Sequence, residues 1–217
     1  MLLAIDTATK MLGLALFDGS EILIESVWYG KGHHTIDLAP EVALSFRRAG
    51  ASQADLTVVA VAQGPGSYTG LRIGMALAKG LSLAHNLPIV GIPTLDILAN
   101  AQPHREEPML ATLQAGRKRV AAVWYKWTRN GWTARKGMKT LTWEELPGEL
   151  KQNTYICGEI DAEAREALKR EALAILAPAS MCVRRPSVLA ELAWQVARKG
   201  KTEDPSKLAP IYLDPIS

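Results

Sequence analysis

Two polar, turn-rich stretches hold most of the residues that could do chemistry in this sequence. The first, Asp6-Thr7-Ala8-Thr9, follows a short apolar run at residues 2–5. An acid followed by hydroxyls at a strand end can coordinate a metal-bound phosphate. The same side chains can equally satisfy the backbone of a tight turn, and residue type does not decide between the two. The second stretch is Gln63-Gly64-Pro65-Gly66-Ser67-Tyr68-Thr69-Gly70. Glycines there permit sharp turns, and N–H groups at a following helix start can face an anion. No Lys-Ser or Lys-Thr follows the last glycine, so this is not a Walker A loop, and it lacks the dinucleotide spacing. Asp6, Thr7, Thr9, Gly64, Gly66 and Ser67 are therefore candidates for a degenerate phosphate loop. Ser67 lacks the flanking order of a nucleophile elbow, and no acid–histidine set is evident to activate it.

Metal and thiol chemistry have less support. His33 and His34 are adjacent, but a helical metal site wants a second histidine four residues on, and position 38 is Leu38. Cys157 and Cys182 have neither zinc nor thioredoxin-like spacing and read as reduced, structural thiols. No metal and no cofactor are expected.

After the glycine loop, Gly70, Gly74, Ala78 and Ser82 recur every four residues. On a helix they form a face almost without side-chain bulk, against which another element can approach closely. Gly74 and Gly80 each cost about 1 kcal/mol of helix propensity relative to alanine. Packing should recover that cost, either on the chain's own sheet or at a subunit interface; spacing alone leaves both open.

The elements that must position these residues alternate clearly. Strands are expected at residues 2–6, 12–17 and 21–28, the last two joined by the Asp18-Gly19 hairpin signal. A helix capped by Thr35 or Asp37 runs to Arg48, with Pro40 sitting awkwardly inside it. The apolar β-branched run at 57–62 reads as a strand buried on both faces. A helix at 68–84, a strand at 88–92 and a short helix from Thr94 complete a β-β-β-α-β-α-β order, which is a mixed sheet with crossover helices. The proline-flanked charged segment at 103–108 is the best boundary. Beyond it the order partly repeats: strands at 109–113, 120–127 and 132–142, a broken helix at 143–151, strands at 155–157 and 173–176, and helices at 162–169 and 187–199. The expectation is an N-terminal lobe, 1–102, and a smaller second lobe, 103–217. Its tail, through Ile211-Tyr212-Leu213, packs back on the body.

Composition agrees with a globular protein. The chain has 217 residues, 48% of them apolar, and a formal net charge of +3, too modest to mark a dedicated nucleic-acid binder. No apolar run approaches the roughly 20 residues of a membrane span. The first residues lack the basic region of a signal peptide. A cytoplasmic protein is expected.

The strings Ala4-Ile5-Asp6-Thr7-Ala8-Thr9 and Gly64-Pro65-Gly66-Ser67-Tyr68-Thr69-Gly70-Leu71-Arg72-Ile73-Gly74 resemble the bacterial TsaB (YeaZ) family. His34-Thr35, Pro93-Thr94-Leu95 and Pro210-Ile211-Tyr212-Leu213 fall at matching places. The chain departs from the family at Gln114-Ala115-Gly116-Arg117, where an Asp-Ala-Arg string is usual, and at Asp214, where Arg is common.

The resemblance implies an actin-like, Hsp70-like ATPase-type fold (ribonuclease H-like): an α/β protein of two related lobes, each a mixed sheet flanked by helices. It also implies a non-catalytic scaffold role beside the paralogue TsaD, with TsaE as third partner. Self-dimerisation would occur when TsaD is absent. The assembly would transfer threonylcarbamoyl to N6 of adenosine 37 in tRNAs reading codons that begin with A. By the same resemblance, His34, Leu38, Val42, Phe46, Gly70, Gly74, Ala78 and Ser82 form the docking face, and tRNA is met only through the complex. Arg117-Lys118-Arg119 and Arg184-Arg185 are weak contact candidates for that RNA. Rival readings are an autonomous ATPase or small-molecule kinase of the same fold, a protease, and a self-associating scaffold with another partner.

Overall fold

The computed structural model describes residues 1–30, 34–116, 118–135 and 137–213, without the side chains of 34–36. His33, Thr35, Ile36, Arg117 and Asp214 therefore fall outside the described residues or side chains.

Two units emerge: Met1–Ile97 with Arg185–Tyr212, and Leu98–Arg184 together with Leu213. The first is built on strands β1 (Leu2–Asp6), β2 (Met11–Phe17), β3 (Ile22–Tyr29), β4 (Val58–Gly64) and β5 (Ile89–Pro93) in the order β3-β2-β1-β4-β5. β1 runs antiparallel to β2 and parallel to β4, with Leu3 opposite Leu16 and Val59. Helices α1 (His34–Arg48), α2 (Tyr68–Ala84) and α3 (Thr94–Asn100) follow β3, β4 and β5.

Every residue of β1 is buried, because the sheet is covered on both faces. Leu3, Ile5, Val59 and Val61 meet Leu38, Val42 and Phe46 of α1 and Met75 and Ala78 of α2. Alternation turns Leu2, Ala4, Val58 and Ala60 the other way, onto Leu189, Ala190 and Ala193. Those residues belong to α6 (Pro186–Arg198). The expected division gave this helix to the second lobe; contacts give it to the first. α1 and α2 both serve one face, so the opposite face has to be closed by a helix from far along the chain.

Glu25 on β3 helps hold that returning helix. Its carboxylate accepts from Arg185 Nε at 3.0 and 3.1 Å, from Ser187 N at 3.0 Å and from Ser187 Oγ at 2.6 Å. Burial pushes the Glu25 carboxyl up, but the Arg185 and Ser187 donors outweigh it and hold the group below its usual range.

The second unit repeats the plan. Strands β6 (Met109–Gln114), β7 (Arg119–Thr128), β8 (Gly131–Ala134), β10 (Thr154–Gly158) and β11 (Ala174–Leu176) lie in the order β11-β10-β6-β7-β8, with β9 (Lys139–Thr142) also on β7. With β9 set aside and the rest numbered within the unit, this is the same arrangement as the first sheet. The chain is thus α/β, with two mixed sheets of like strand order flanked by helices, as the expected fold requires. The single strand expected at 132–142 is two. β8 pairs with Tyr125–Thr128 and β9 with Arg119–Ala122, so the ten-residue β7 carries two short partners end to end. The broken helix at 143–151 is one turn, α4 (Leu146–Glu149), since Pro147 and Gly148 allow little more. Helix α5 (Ala162–Leu168) is capped by Asp161, which accepts from Ala164 N at 2.8 Å.

α2 shows where its small residues go. A Cβ at Gly70 would stand 2.2 Å from Thr7 O, and one at Gly74 would stand 2.1 Å from Thr7 Oγ1. Ala78 and Ser82 are buried as well. The stripe seats the helix on the chain's own sheet. Gly80, by contrast, has nothing within 4 Å of a built Cβ.

Two predictions arise. Gly80→Ala should raise stability by up to about 1 kcal/mol through helix propensity. Gly74→Ala should lower it by about 1–3 kcal/mol, because overpacking outweighs the same propensity gain. Thermal melts of the two variants should move in opposite directions, and parallel shifts would contradict the packing. Glu25→Gln should cost about 1 kcal/mol at neutral pH, a figure already reduced for the half-exposed Arg185. A lowered folded-state value stabilises above the unfolded carboxyl's range, and that contribution is lost as pH falls through it. The melting-temperature gap between variant and parent should therefore close below about pH 4.

Candidate functional site

The turn after β1 and the loop before α2 are folded into each other. Asp6 Oδ1 accepts from Ala8 N at 2.9 Å, and Thr9 Oγ1 accepts from Met11 N at 3.3 Å. Across the gap, Thr7 Oγ1 donates to Gly70 O at 2.8 Å, and Ser67 N donates to Ala8 O at 2.6 Å. Ser67 caps α2, its Oγ accepting from Gly70 N at 3.3 Å. Of the six candidates Asp6, Thr7, Thr9, Gly64, Gly66 and Ser67, the structure brings Thr7, Gly66 and Ser67 into contact across the two loops, while Asp6 and Thr9 bond within their own turn and Gly64 faces Ile211. The two loops come together as a clasp. A Cβ on Gly66 would stand 2.2 Å from Ala8 O, and Thr7 is wholly buried. Two N–H groups at the start of α2 that an anion would want, those of Ser67 and Gly70, face the chain's own oxygens instead.

The C-terminal segment closes the clasp from outside. Ile211 N donates to Gln63 O at 2.8 Å, and Gln63 Nε2 donates to Ala209 O at 3.0 Å. Gly64 has φ +117°, and a Cβ there would stand 2.2 Å from Ile211 O, so only glycine fits. Upstream, Glu203 pairs with Ile89 and its Oε1 accepts from Gly91 N at 3.1 Å.

Beside the clasp, the outer sides of α1 and α2 form an apolar groove of about 540 Å³, lined by Leu38, Ala39, Arg72, Ile73, Ala76 and Leu77 among others. At its end Tyr68 and Tyr212 stack with ring centres 5.0 Å apart. Arg72 Nη1 donates to Tyr68 OH at 2.7 Å, and its guanidinium lies 4.9 Å from that ring's centre. Tyr68 and Tyr212 remain 58% and 40% exposed, unusual for two stacked aromatics with no core to join.

This corrects the residues expected on the docking face. Leu38, Val42 and Phe46 are 2–4% exposed core residues, and Gly70, Gly74, Ala78 and Ser82 are buried against β1 and its neighbours. Only Leu38 also reaches the groove floor. His34 opens α1, and its side chain lies outside the description. The outward positions of α2 are offset around the helix, at 72, 73, 76 and 77. Their signal was present: α2 carries apolar residues on two faces, and a sheet needs only one.

Among the described residues, no group of three or more His, Cys, Asp or Glu is placed to hold a metal, and no helix is long and apolar enough to cross a membrane. Burial pushes the Cys157 thiol well up, aided by nearby Cys182, so it stays protonated. Cys182 is only partly buried, with Arg165 Nη2 at 3.7 Å from its sulfur. Of the basic clusters, Arg184 is turned inward to Glu159 at 3.3 Å and Arg185 is held by Glu25.

Comparison with known proteins places this geometry. A family model described as TsaD, tRNA N6-adenosine threonylcarbamoyltransferase, matches residues 29–193. The chain is 29% identical to the tRNA threonylcarbamoyladenosine biosynthesis protein TsaB of Bacillus subtilis, over 98% of this chain and 93% of that one. It is 27% identical to the Escherichia coli protein of the same name, over 98% and 94%. Among solved structures, YeaZ from Pseudomonas aeruginosa superposes with a TM-score of 0.80 at 22% identity, covering 98% of this chain and 99% of that one. The family model covers well over half of the chain and the matches to TsaB proteins run nearly end to end, so the chain belongs to the TsaD/TsaB (YeaZ) family of tRNA threonylcarbamoyladenosine biosynthesis proteins.

Proposed function

We propose that this chain is a non-catalytic subunit of the cytoplasmic complex that makes N6-threonylcarbamoyladenosine at position 37 of tRNAs reading codons beginning with A. It binds and activates the TsaD transferase through the groove between α1 and α2. The observation that carries the proposal is that groove, with Tyr68, Arg72 and Tyr212 at its end. Apolar helix surface ringed by Tyr and Arg is the composition of an interface hot spot. Family membership supports TsaD as the partner. The clasp supports the non-catalytic part, since hydroxyls and N–H groups that would meet a phosphate are hydrogen-bonded within the chain.

Activation then needs no group from this subunit at the reacting atoms. A partner that binds the active conformation of TsaD more tightly than the inactive one shifts its population by that difference. The same groove serves a second copy of this chain when TsaD is absent, and TsaE joins as third partner.

Ala76→Arg fills the groove from an exposed position without touching the core. It should weaken TsaD binding by about 2 kcal/mol, roughly 30-fold, while leaving the melting temperature unchanged. The check is calorimetric titration, together with a reconstituted transfer reaction containing TsaD, TsaE, tRNA and threonylcarbamoyl-adenylate. Transfer that requires this chain and fails with Ala76→Arg supports the proposal. Vigorous ATP hydrolysis by the isolated chain, with no effect on transfer, would replace it with the autonomous-ATPase reading.

A further inference from the structure

The second unit carries a cleft that the proposed docking role leaves unused. β7 holds Trp124 and Lys126 two residues apart, hence on one face of its sheet. Residues directly opposite one another across an antiparallel pair share a face. Lys139 is opposite Ala122, and Arg135 follows β8 with its N–H donating to Trp124 O at 2.8 Å. Register alone therefore gathers Trp124, Lys126, Arg135 and Lys139 on one side. The inner part of that face, Val120 and Ala122, packs under Leu146, Leu150 and Leu168. The covering helix α4 is a single turn, and Trp124 packs, partly buried, against the edge of that cover.

What remains is a cleft of about 480 Å³, lined by Trp124, Pro108, Arg135, Lys139, Lys151 and Glu149 among others. A second cleft of about 300 Å³ shares Pro108 and Arg135 with it and adds Lys126 and the exposed Trp127. The His104 ring stands 4.8 Å from that of Trp127. Together the two clefts present five cations against three carboxylates. Glu149 is already paired with Lys139 at 2.7 Å and Glu107 with Arg105 at 3.4 Å. Among the described residues, no carboxylate pairs with Lys126, Arg135 or Lys151.

We infer that these joined clefts bind an unpaired segment of RNA. Flat aromatic surface set among cations is the chemistry of single-strand recognition, in which bases stack and phosphates meet the charges. A duplex would offer neither free base face to a cleft of this width. The inference rests on the pathway reading only in choosing RNA as the polyanion. Arg135 is common to both clefts, while Trp127 alternates to the other face of β7 from Trp124 and Lys126.

The test is fluorescence anisotropy of a labelled twelve-nucleotide single-stranded RNA titrated with the full chain, with polyglutamate as a competing polyanion. Tryptophan quenching is followed in parallel. Three unpaired cations predict a log–log salt slope of about −2, so affinity should fall roughly 20-fold between 50 and 200 mM salt. Arg135→Glu and Lys126→Glu, both at exposed positions, should each weaken RNA binding about tenfold or more and flatten the slope by at least about 0.7. Trp124→Ala should reduce the quenching, leaving the part due to Trp127; the two charge variants carry the test if that one fails to fold. Absence of RNA binding, binding indifferent to both charge variants, or polyglutamate displacing RNA at equal charge would each overturn the inference. TsaD binding measured on the same proteins separates the two proposals. Arg135→Glu should retain it, whereas Ala76→Arg should lose TsaD and keep RNA.

Discussion

The hydrogen bond from Thr7 Oγ1 to Gly70 O, 2.8 Å long and wholly buried, is the contact on which the first unit is organised. It forms only because α2 comes close enough to the end of β1 for the glycine carbonyl to be in reach. That approach requires Gly70 and Gly74, where any side chain would meet Thr7. Once the helix is seated there, its rotation about its own axis is fixed. The small residues must point inward, Arg72 and Ala76 must point out, and Ile73 and Leu77 sit half-buried between.

The seat also settles the chemistry of the loops. In an open phosphate loop, helix-start N–H groups face a concavity that an anion fills. Here Ala8 O and the Ser67 hydroxyl fill that role, and the C-terminal segment lies across Gln63 and Gly64. A glycine-rich loop of the right length has thus become a joint that stiffens one end of the sheet. Hydrogen bonding of the two loops to each other and exposure of an apolar groove are two consequences of one helix position.

The two sheets share a strand order but differ in how their faces are finished. In the first unit α1, α2 and α6 cover both sides, and Glu25 ties α6 to the edge strand β3 through Arg185 and Ser187. In the second unit α4 is one turn long, and the outer end of β7 keeps the Trp127 indole and several cations uncovered. Core sequence is spared where a face is left open, and a face left open is free to acquire charge.

Much of this was legible in the residues. The apolar run at 57–62 announced a strand buried on both faces, Asp18-Gly19 announced the hairpin, and the long match around Gly64–Gly74 announced the family. The four-residue spacing of Gly70, Gly74, Ala78 and Ser82 announced a close contact as well. These are local or periodic properties, and short-range sterics and burial enforce them wherever the chain folds. What the stripe touches was not legible, because own sheet and foreign subunit demand the same small side chains. Nor was the return of α6, whose amphipathic face fits any uncovered sheet. The gathering of Trp124 with Arg135 and Lys139 depended on strand register and on a cover one turn too short. The sequence by itself determined the elements, their apolar faces and the family. Only the tertiary structure decided which face met which, since hydrophobic burial is non-directional and the partner of an apolar stripe is chosen by the whole chain.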